Sequence, residues 1–279
     1  MLSKYISILQ KNVIYYIICE NYEKGKSILM ENIKLKENER IDDLELKGFK
    51  IIQNTDGFCF GIDSVLISDF AKNIKKNSKV IDLGTGTGII ATLLCAKTNL
   101  SKVIGVEIQE DVAEMADRSI KLNHLENKFQ IINDNIKNLK NKFEACSFDV
   151  VITNPPYQKL KTGIISDSQK KLISRHEIEA ELDDFISMAF YLLKDKGEFY
   201  MVHRAERLVD IISTMRKAKI EPKQLRMICS SKGKEPKLVL IKGIKNAKPF
   251  LKIQNNLYIY NKDGKYTPEI LKIYGKKEK

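Results

Sequence analysis

The feature that most constrains the fold is a glycine-rich turn between a buried strand and a helix. The segment D-L-G-T-G-T-G at 82–88 follows the strand-like run 79–81 and leads into a helical pattern at 89–96. Glycines allow a tight turn here and let a ligand approach bare backbone at the N-terminus of a helix. A dinucleotide fingerprint, G-x-G-x-x-G, would require a glycine at position 89, where the chain has Ile89. The turn therefore predicts a ligand site other than a dinucleotide site.

Strands and helices alternate around this turn. We expect strands at 79–82, 102–107, 129–132 and 148–153, and helices at 64–71, 89–97 and 110–123, the first with Asp63 as its N-cap. Further on we expect helices at 179–194 and 206–218, strands at 198–203, 224–230 and 237–242, and a hairpin-like end with Asp263-Gly264 as its turn. This order predicts an α/β fold with a mostly parallel sheet and helices on both faces.

The ends of two predicted strands carry polar residues suited to a nucleoside. Glu107 ends the strand 102–107, about twenty residues past the glycine turn, where a ribose diol is usually held. An ionised carboxylate can accept hydrogen bonds from two neighbouring hydroxyl groups. The strand 129–132 runs into N-D-N-I at 133–136, and both Asp134 and Asn135 offer acceptor oxygens.

The tetrapeptide Asn154-Pro155-Pro156-Tyr157 directly follows the apolar strand 148–153. Two prolines end the strand ladder and hold the backbone extended, so the carbonyl groups of Asn154 and Pro155 have no partners within the strand. A planar amino group with two N–H bonds requires such acceptors. Together with the glycine turn, this step predicts methyl transfer to an amino group.

Composition and charge limit the kinds of binding partner and the cellular compartment that we expect. The formal net charge is +12, with the excess strongest in the last quarter, which favours polyanions, although a generally lysine-rich composition would give the same sign. No metal site, disulfide framework or catalytic nucleophile is predicted, because neither C-x-x-C pairs nor Cys/His clusters occur. No apolar stretch reaches the roughly eighteen residues needed to cross a bilayer. We expect a soluble, cytoplasmic protein.

Several segments together resemble one family. They are F-C-F-G-I-D-S-V-L at 58–66, D-L-G-T-G-T-G at 82–88, N-P-P-Y at 154–157, S-R-H-E at 174–177, V-H-R at 202–204, K-E-P-K-L-V-L-I-K-G at 234–243 and Y-N-K-D-G-K-Y-T at 260–267. From about Met30 to the C-terminus the chain resembles the bacterial tRNA1(Val) adenine-37 N6-methyltransferases. The resemblance implies a Rossmann-like class I fold with a seven-stranded, mostly parallel sheet. It also implies S-adenosylmethionine (SAM) as methyl donor and, as target, the N6 amine of an adenine in the tRNA anticodon loop.

The resemblance and the residue types predict three groups of site residues. The catalytic group is Asn154, Pro155, Pro156 and Tyr157. The predicted cofactor contacts are Phe60, Asp63, Asp82, Gly84, Thr85, Gly86, Gly88, Glu107, Ile108, Asp134, Asn135 and Asn154. The predicted substrate contacts are Tyr157, which would stack on the flipped base, together with Arg175, His176, Arg204 and Lys234.

Residues 1–29 do not match the resemblance, and we expect an N-terminal extension followed by one methyltransferase domain at 30–279 with a basic, β-rich C-terminal part. Three alternatives stay open. A methyltransferase acting on a protein glutamine usually has a longer N-terminal helical domain. A guanine-N2 methyltransferase of rRNA usually lacks tyrosine in the fourth position of N-P-P-Y. A non-enzymatic RNA chaperone would be expected to lose Asp82, the glycines or N-P-P-Y. Oligomeric state is not predicted.

Overall fold

The computed structural model describes residues 34–56, 60–157 and 182–276. The predictions for residues 1–29 and for Arg175 and His176 lie outside these residues. The first part of the chain forms β1 (Glu39–Asp43), β2 (Lys50–Asn54), α1 (Ile62–Phe70), β3 (Lys79–Leu83), α2 (Ile89–Lys97), β4 (Lys102–Glu107), α3 (Glu110–Leu122), β5 (Phe129–Asn133), a 3-10 turn (Ile136–Asn141) and β6 (Phe148–Thr153).

The second part forms α4 (Leu182–Leu192), β7 (Leu193–Arg204), a 3-10 turn (Ala205–Arg207), α5 (Leu208–Lys217), β8 (Ile220–Cys229), β9 (Pro236–Lys245), β10 (Lys252–Ile253), β11 (Leu257–Tyr258) and α6 (Pro268–Ile273). None of the helices in the described ranges is long and apolar enough to cross a membrane.

The main sheet confirms the predicted architecture. Seven strands lie in the order β5-β4-β3-β6-β7-β9-β8, and the two-residue strands β10 and β11 extend the sheet from β8. The pairs from β5 to β7 are all parallel, whereas β9 is antiparallel to both of its neighbours. Since β9 runs opposite to both, β8 points in the same direction as β7.

Both faces of the sheet are covered, which explains why its central strands are apolar at almost every position. Val80 and Ile152 face a core formed with α1, α2, α3 and α6, and Ile81 and Val151 face a second core formed with α4 and α5. Neighbouring residues of each strand therefore belong to opposite cores, as the two-residue period of a strand requires.

The strand order reverses between β3 and β6, which lie side by side although they are separated by two strands in the chain. The Thr153 hydroxyl at the end of β6 donates a hydrogen bond of 2.7 Å to the carbonyl of Leu83 at the end of β3. In open α/β sheets ligands bind outside the carboxyl ends of the strands at such a point. The fold thus places the glycine turn after β3 and N-P-P-Y after β6 at one edge.

Some local predictions were wrong. The N-cap of α1 is Gly61, and Asp63 lies inside the first turn, because the helix begins two residues earlier than predicted. The predicted terminal hairpin is reduced to one antiparallel bridge between Tyr260 and Tyr266, since Leu257–Tyr258 pairs in parallel with β8 instead. Helix α6, capped by the Thr267 hydroxyl, was not predicted.

The three long strands that follow α4 are longer than predicted. Helix α4 ends at Leu192, and β7 then runs for 12 residues without an intervening loop. Strands β8 and β9 have 10 residues each, because they pair with each other along most of their length. Cross-strand pairing of this kind is not visible in the local sequence.

Candidate active site at the ends of the parallel strands

The glycine turn adopts a conformation that only glycine adopts readily. Gly84, Gly86 and Gly88 have φ angles of 70°, 56° and 81°, in the left-handed region. The N–H groups of Gly84 and Thr85 both donate to the carbonyl of Val106 at 2.9 Å, which ties the turn to the end of β4. The turn therefore presents backbone, without side chains at its glycines, at the N-terminus of α2.

Asp82 is a fully buried carboxyl group beside this turn. Its Oδ2 accepts a hydrogen bond of 2.6 Å from the Thr85 hydroxyl, whereas Oδ1 has no hydrogen-bond partner among the described residues. Burial raises the pKa of Asp82 to about 7, with a smaller contribution from the charge of Glu107 and an opposing one from the Thr85 hydrogen bond. A buried oxygen without a partner fits a cationic or N–H group of a ligand.

Glu107 is held rigidly at the end of β4. Its Oε2 accepts from the N–H of Gly86 at 2.9 Å and its Oε1 accepts from the N–H of Gln109 at 3.0 Å. The side chain is almost completely buried, and burial raises its pKa while these backbone hydrogen bonds oppose the rise. Each carboxylate oxygen keeps a second lone pair, so the group can still accept from a diol.

The next strand end also lies beside Glu107. The N–H of Asp134 donates to the Glu107 carbonyl at 3.0 Å, and the Asn133 side chain donates to the carbonyls of Glu107 and Ile108 at 2.9 and 3.0 Å. The Asp134 carboxylate accepts a hydrogen bond from the Asn138 side chain and forms an ion pair with Lys142 at 3.0 Å. Both contacts lower the pKa of Asp134.

The Asn135 side chain caps the following 3-10 turn by accepting from the N–H of Lys137 at 2.9 Å. Both candidate side chains for the adenine of the cofactor, Asp134 and Asn135, therefore already accept hydrogen bonds within their own turn. Contact of either with SAM stays a prediction.

N-P-P-Y follows β6 and contacts helix α1. The Tyr157 hydroxyl donates to Oδ2 of Asp63 at 2.7 Å, and Oδ1 of Asn154 lies 2.6 Å from the same hydroxyl oxygen. Burial, followed by the Asp63 charge, raises the pKa of Tyr157, so its hydroxyl stays protonated. Pro155 is buried and Pro156 is exposed. Two distant parts of the chain, Asp63 of α1 and the N-P-P-Y segment, thus meet at the candidate catalytic site.

His203 belongs to this site but was not among the predicted site residues. Its ring centroid lies 5.1 Å from that of Tyr157, with the planes tilted by 58°. Burial and the nearby charge of Arg207 lower the pKa of His203 to about 4, and its Nδ1 accepts from the N–H of Arg204. The imidazole is therefore neutral near pH 7. The segment V-H-R at 202–204 was the available signal, but nothing local indicates that β7 lies beside β6.

The remaining predicted residues lie just before α1 and at the ends of β7 and β8. The N–H of Phe60, two residues before α1, donates to Oε1 of Gln53 on β2 at 2.8 Å. Arg204 is half-exposed at the end of β7, and Lys234 is exposed in the turn after β8. Among the described residues no group of three or more His, Cys, Asp or Glu could hold a metal ion.

The strand order reverses at the glycine turn, and the next strand ends in an acidic residue. This is the arrangement of the class I SAM-dependent methyltransferases. The chain belongs to the Methyltransferase small domain family, which it matches over residues 61–219, more than half of its length. It is a methyltransferase with SAM as its cofactor.

Curated relatives cover most of the chain. The tRNA1(Val) (adenine(37)-N6)-methyltransferase of Tolumonas auensis is 26% identical over 234 residues, which are 81% of this chain and 92% of the relative. Proteins of the same name from Porphyromonas gingivalis and Haemophilus influenzae Rd are both 26% identical, over 83% and 81% of this chain and 93% and 94% of their own lengths.

Solved structures share the fold. A predicted O-methyltransferase from Agrobacterium tumefaciens superposes with a TM-score of 0.61 at 17% identity and covers 76% of this chain and 95% of its own. TYW2 of M. jannaschii, solved in complex with AdoMet, has a TM-score of 0.51 at 15% identity, with 76% and 87% of the two chains covered. At these identities the likeness concerns the fold alone.

Proposed function

We propose that the protein transfers a methyl group from SAM to the exocyclic N6 amine of an adenine in tRNA, at position 37 of tRNA1(Val). The observation that carries the proposal is the position of Asn154 and Pro155, which follow β6 directly beside the glycine turn after β3. The names of the curated relatives, each covered over more than nine-tenths of its length, support the choice of acceptor.

The residues around the glycine turn fit SAM. The unpartnered Oδ1 of Asp82 suits a cationic amino group, and the fixed carboxylate of Glu107 suits a ribose diol. We assign the glycines at 84, 86 and 88, Thr85, Ile108 and the pair Asp134 and Asn135 to the same binding site. When bound, SAM supplies a methyl group on a positively charged sulfur, which makes that methyl group electrophilic.

The chain's own part in the transfer is to hold and orient the acceptor amine. Oδ1 of Asn154 and the carbonyl of Pro155 accept the two N6–H bonds, which directs the nitrogen lone pair toward the methyl group. The ring of Tyr157 stacks on the purine, worth about 1–3 kcal/mol for a base on an aromatic side chain. No general base is needed, because the nitrogen becomes acidic once it is methylated and loses its proton to water.

The charge of the protein fits an RNA substrate. Arg204 and Lys234 lie at the same sheet edge as N-P-P-Y, and the whole chain carries a net charge of +12. A base of the anticodon loop is already single-stranded, so removing it from its stack costs less than the few kcal/mol needed within a duplex. We include Arg175 and His176 among the proposed tRNA contacts, and a tRNA substrate places the enzyme in the cytoplasm.

The test is methyl transfer from labelled SAM to unmodified bulk tRNA, followed by nucleoside mass spectrometry. We expect N6-methyladenosine from the wild type and a rate at least a hundredfold lower from Asn154→Ala, since loss of one oriented hydrogen-bonding group costs about 10²–10³ in rate. Asn99→Ala is the matched control, because Asn99 is exposed beyond the N-terminal end of β4, away from the site.

Parallel assays offer ribosomal RNA or a release factor as the acceptor. Label in guanine of the RNA or in glutamine of the protein, with none in tRNA adenine, would contradict the proposed acceptor. Such a result would leave the SAM site intact. Label in tRNA adenine that persists in Asn154→Ala would instead contradict the role assigned to N-P-P-Y.

A further inference from the structure

Asp63 contacts the N-P-P-Y segment through Tyr157. The two residues are 94 positions apart in the chain, yet Oδ2 of Asp63 accepts a hydrogen bond of 2.7 Å from the Tyr157 hydroxyl. Asp63 is half-buried in the first turn of α1, and this helix packs on the sheet beside β7. The structure places the Asp63 carboxylate on a tyrosine of N-P-P-Y, and the predicted contact of Asp63 with the cofactor stays a prediction.

The Tyr157 hydroxyl has two acceptors within reach but carries one hydrogen. Oδ2 of Asp63 lies at 2.7 Å and the Asn154 side-chain amide at 2.6 Å. A hydroxyl group donates once, and an ionised carboxylate is a stronger acceptor than an amide. The hydrogen therefore belongs to the bond with Asp63.

The Asn154 amide must then meet the hydroxyl oxygen as a donor. The oxygen and nitrogen ends of an asparagine amide are distinguished by the hydrogen bonds around them, and two acceptor oxygens at 2.6 Å without a hydrogen between them would repel each other. With its NH2 group directed to Tyr157, the amide has its Oδ1 on the opposite side. That oxygen is then available to an acceptor amine.

We propose that Asp63 is a positioning residue: by holding the Tyr157 hydrogen it orients the Asn154 amide so that Oδ1 accepts from the substrate amine. This inference rests on the proposed function, because it concerns the amine that Asn154 receives. Its consequence is specific. Without an acceptor at position 63 the Tyr157 hydroxyl turns to Oδ1 of Asn154 and occupies the oxygen that the substrate requires.

The experiment compares Asp63→Leu, Asp63→Asn, Tyr157→Phe and the double variant Asp63→Leu/Tyr157→Phe. Single-turnover methyl transfer to tRNA is measured at saturating SAM and tRNA, and SAM affinity is measured by calorimetry. The matched control is Asp69→Leu, near the other end of α1, where the carboxylate pairs with the half-exposed Lys72 at 3.1 Å and with the mostly buried Lys97 at 3.8 Å.

We expect Asp63→Leu to lower the transfer rate about tenfold or more with SAM affinity unchanged. Asp63→Asn should recover part of this loss, because its amide oxygen still accepts from Tyr157. The double variant should be no slower than Asp63→Leu, since no hydroxyl remains to block Asn154. Asp69→Leu should behave as the wild type.

Two results would overturn the inference. One is a SAM affinity that falls in parallel with the rate in Asp63→Leu, which would make Asp63 a cofactor ligand. The other is a double variant in which the two single losses multiply, which would mean that Asp63 and Tyr157 act independently.

A readout without turnover separates this inference from the proposed function. The side-chain NH2 resonances of Asn154 can be assigned by NMR from their absence in Asn154→Ala. They should shift in Asp63→Leu and in Tyr157→Phe but stay near their wild-type positions in Asp69→Leu. Unshifted resonances in Asp63→Leu would refute the orientation, whichever acceptor the enzyme methylates.

Discussion

Asp82 lowers the stability of the folded protein once it ionises. Its pKa rises from 3.8 to about 7 on folding, because the carboxylate loses water and receives only the Thr85 hydrogen bond. With the folded pKa above the unfolded one, the folded state binds the proton more tightly. The resulting stabilisation is full below pH 3.8 and is lost as the pH rises through about 7.

The size of the effect follows from the two pKa values. Each pKa unit corresponds to about 1.4 kcal/mol, so the free energy of unfolding falls by about 4 kcal/mol over the whole range, and about 2–3 kcal/mol of this falls between pH 5 and pH 8. Asp82→Asn stays neutral throughout. Between pH 5 and pH 8 the free energy of unfolding of the wild type should therefore fall by about 2–3 kcal/mol relative to that of the variant.

Urea unfolding at pH 5 and pH 8 without SAM measures this difference. Any constant cost of the new amide cancels, because it is the same at both pH values. Asp134→Asn is the control, since the pKa of Asp134 is lowered and lies below pH 5 in both states. An unchanged difference for Asp82→Asn between the two pH values would refute the argument that burial holds the pKa of Asp82 near 7.

Two further changes test the site and the turn. Glu107→Gln replaces one acceptor oxygen by a donor that faces a backbone N–H. The SAM affinity measured by calorimetry should therefore fall about tenfold or more, which corresponds to about 1.4 kcal/mol per tenfold. Unchanged affinity would mean that this side chain does not hold the ribose. Gly88→Ala should lower the free energy of unfolding by about 1–3 kcal/mol, because its φ is 81° and the new Cβ would lie 3.2 Å from the Phe129 ring. Gly233→Ala, at a φ of 83° in open space, measures the backbone cost alone, and an equal loss in both variants would exclude the ring contact.

Local sequence patterns were sufficient to predict strands that are buried on both faces and a turn that requires glycine. The strands 102–107 and 148–153 have the predicted bounds, because nearly continuous apolar residues are typical of strands covered on both sides. The glycine turn at 82–88 has the predicted position, and its three glycines have the positive φ angles that side chains disfavour. These features depend on residues that are neighbours along the chain.

Predictions failed where an element depends on a distant partner. Asp63 was expected at a helix N-cap, but Phe60 is held by Gln53 of β2, and the helix begins at Ile62. The terminal hairpin was expected from Asp263-Gly264, but Leu257–Tyr258 pairs with β8 instead. In each case a tertiary hydrogen bond outweighed the local preference.

The sequence by itself determined the order of strands and helices, the glycine turn and the N-P-P-Y step, since each depends on residue types within a few positions. Only the tertiary structure decided that Asp63 and His203 meet Tyr157, from α1 and β7 respectively. The physical reason is that parallel strands bring their carboxyl ends to one edge whatever their separation in the chain. The hydrogen-bonded contacts around the Asn154 amide, which we propose orient it, are therefore formed by the packing of the sheet and its helices.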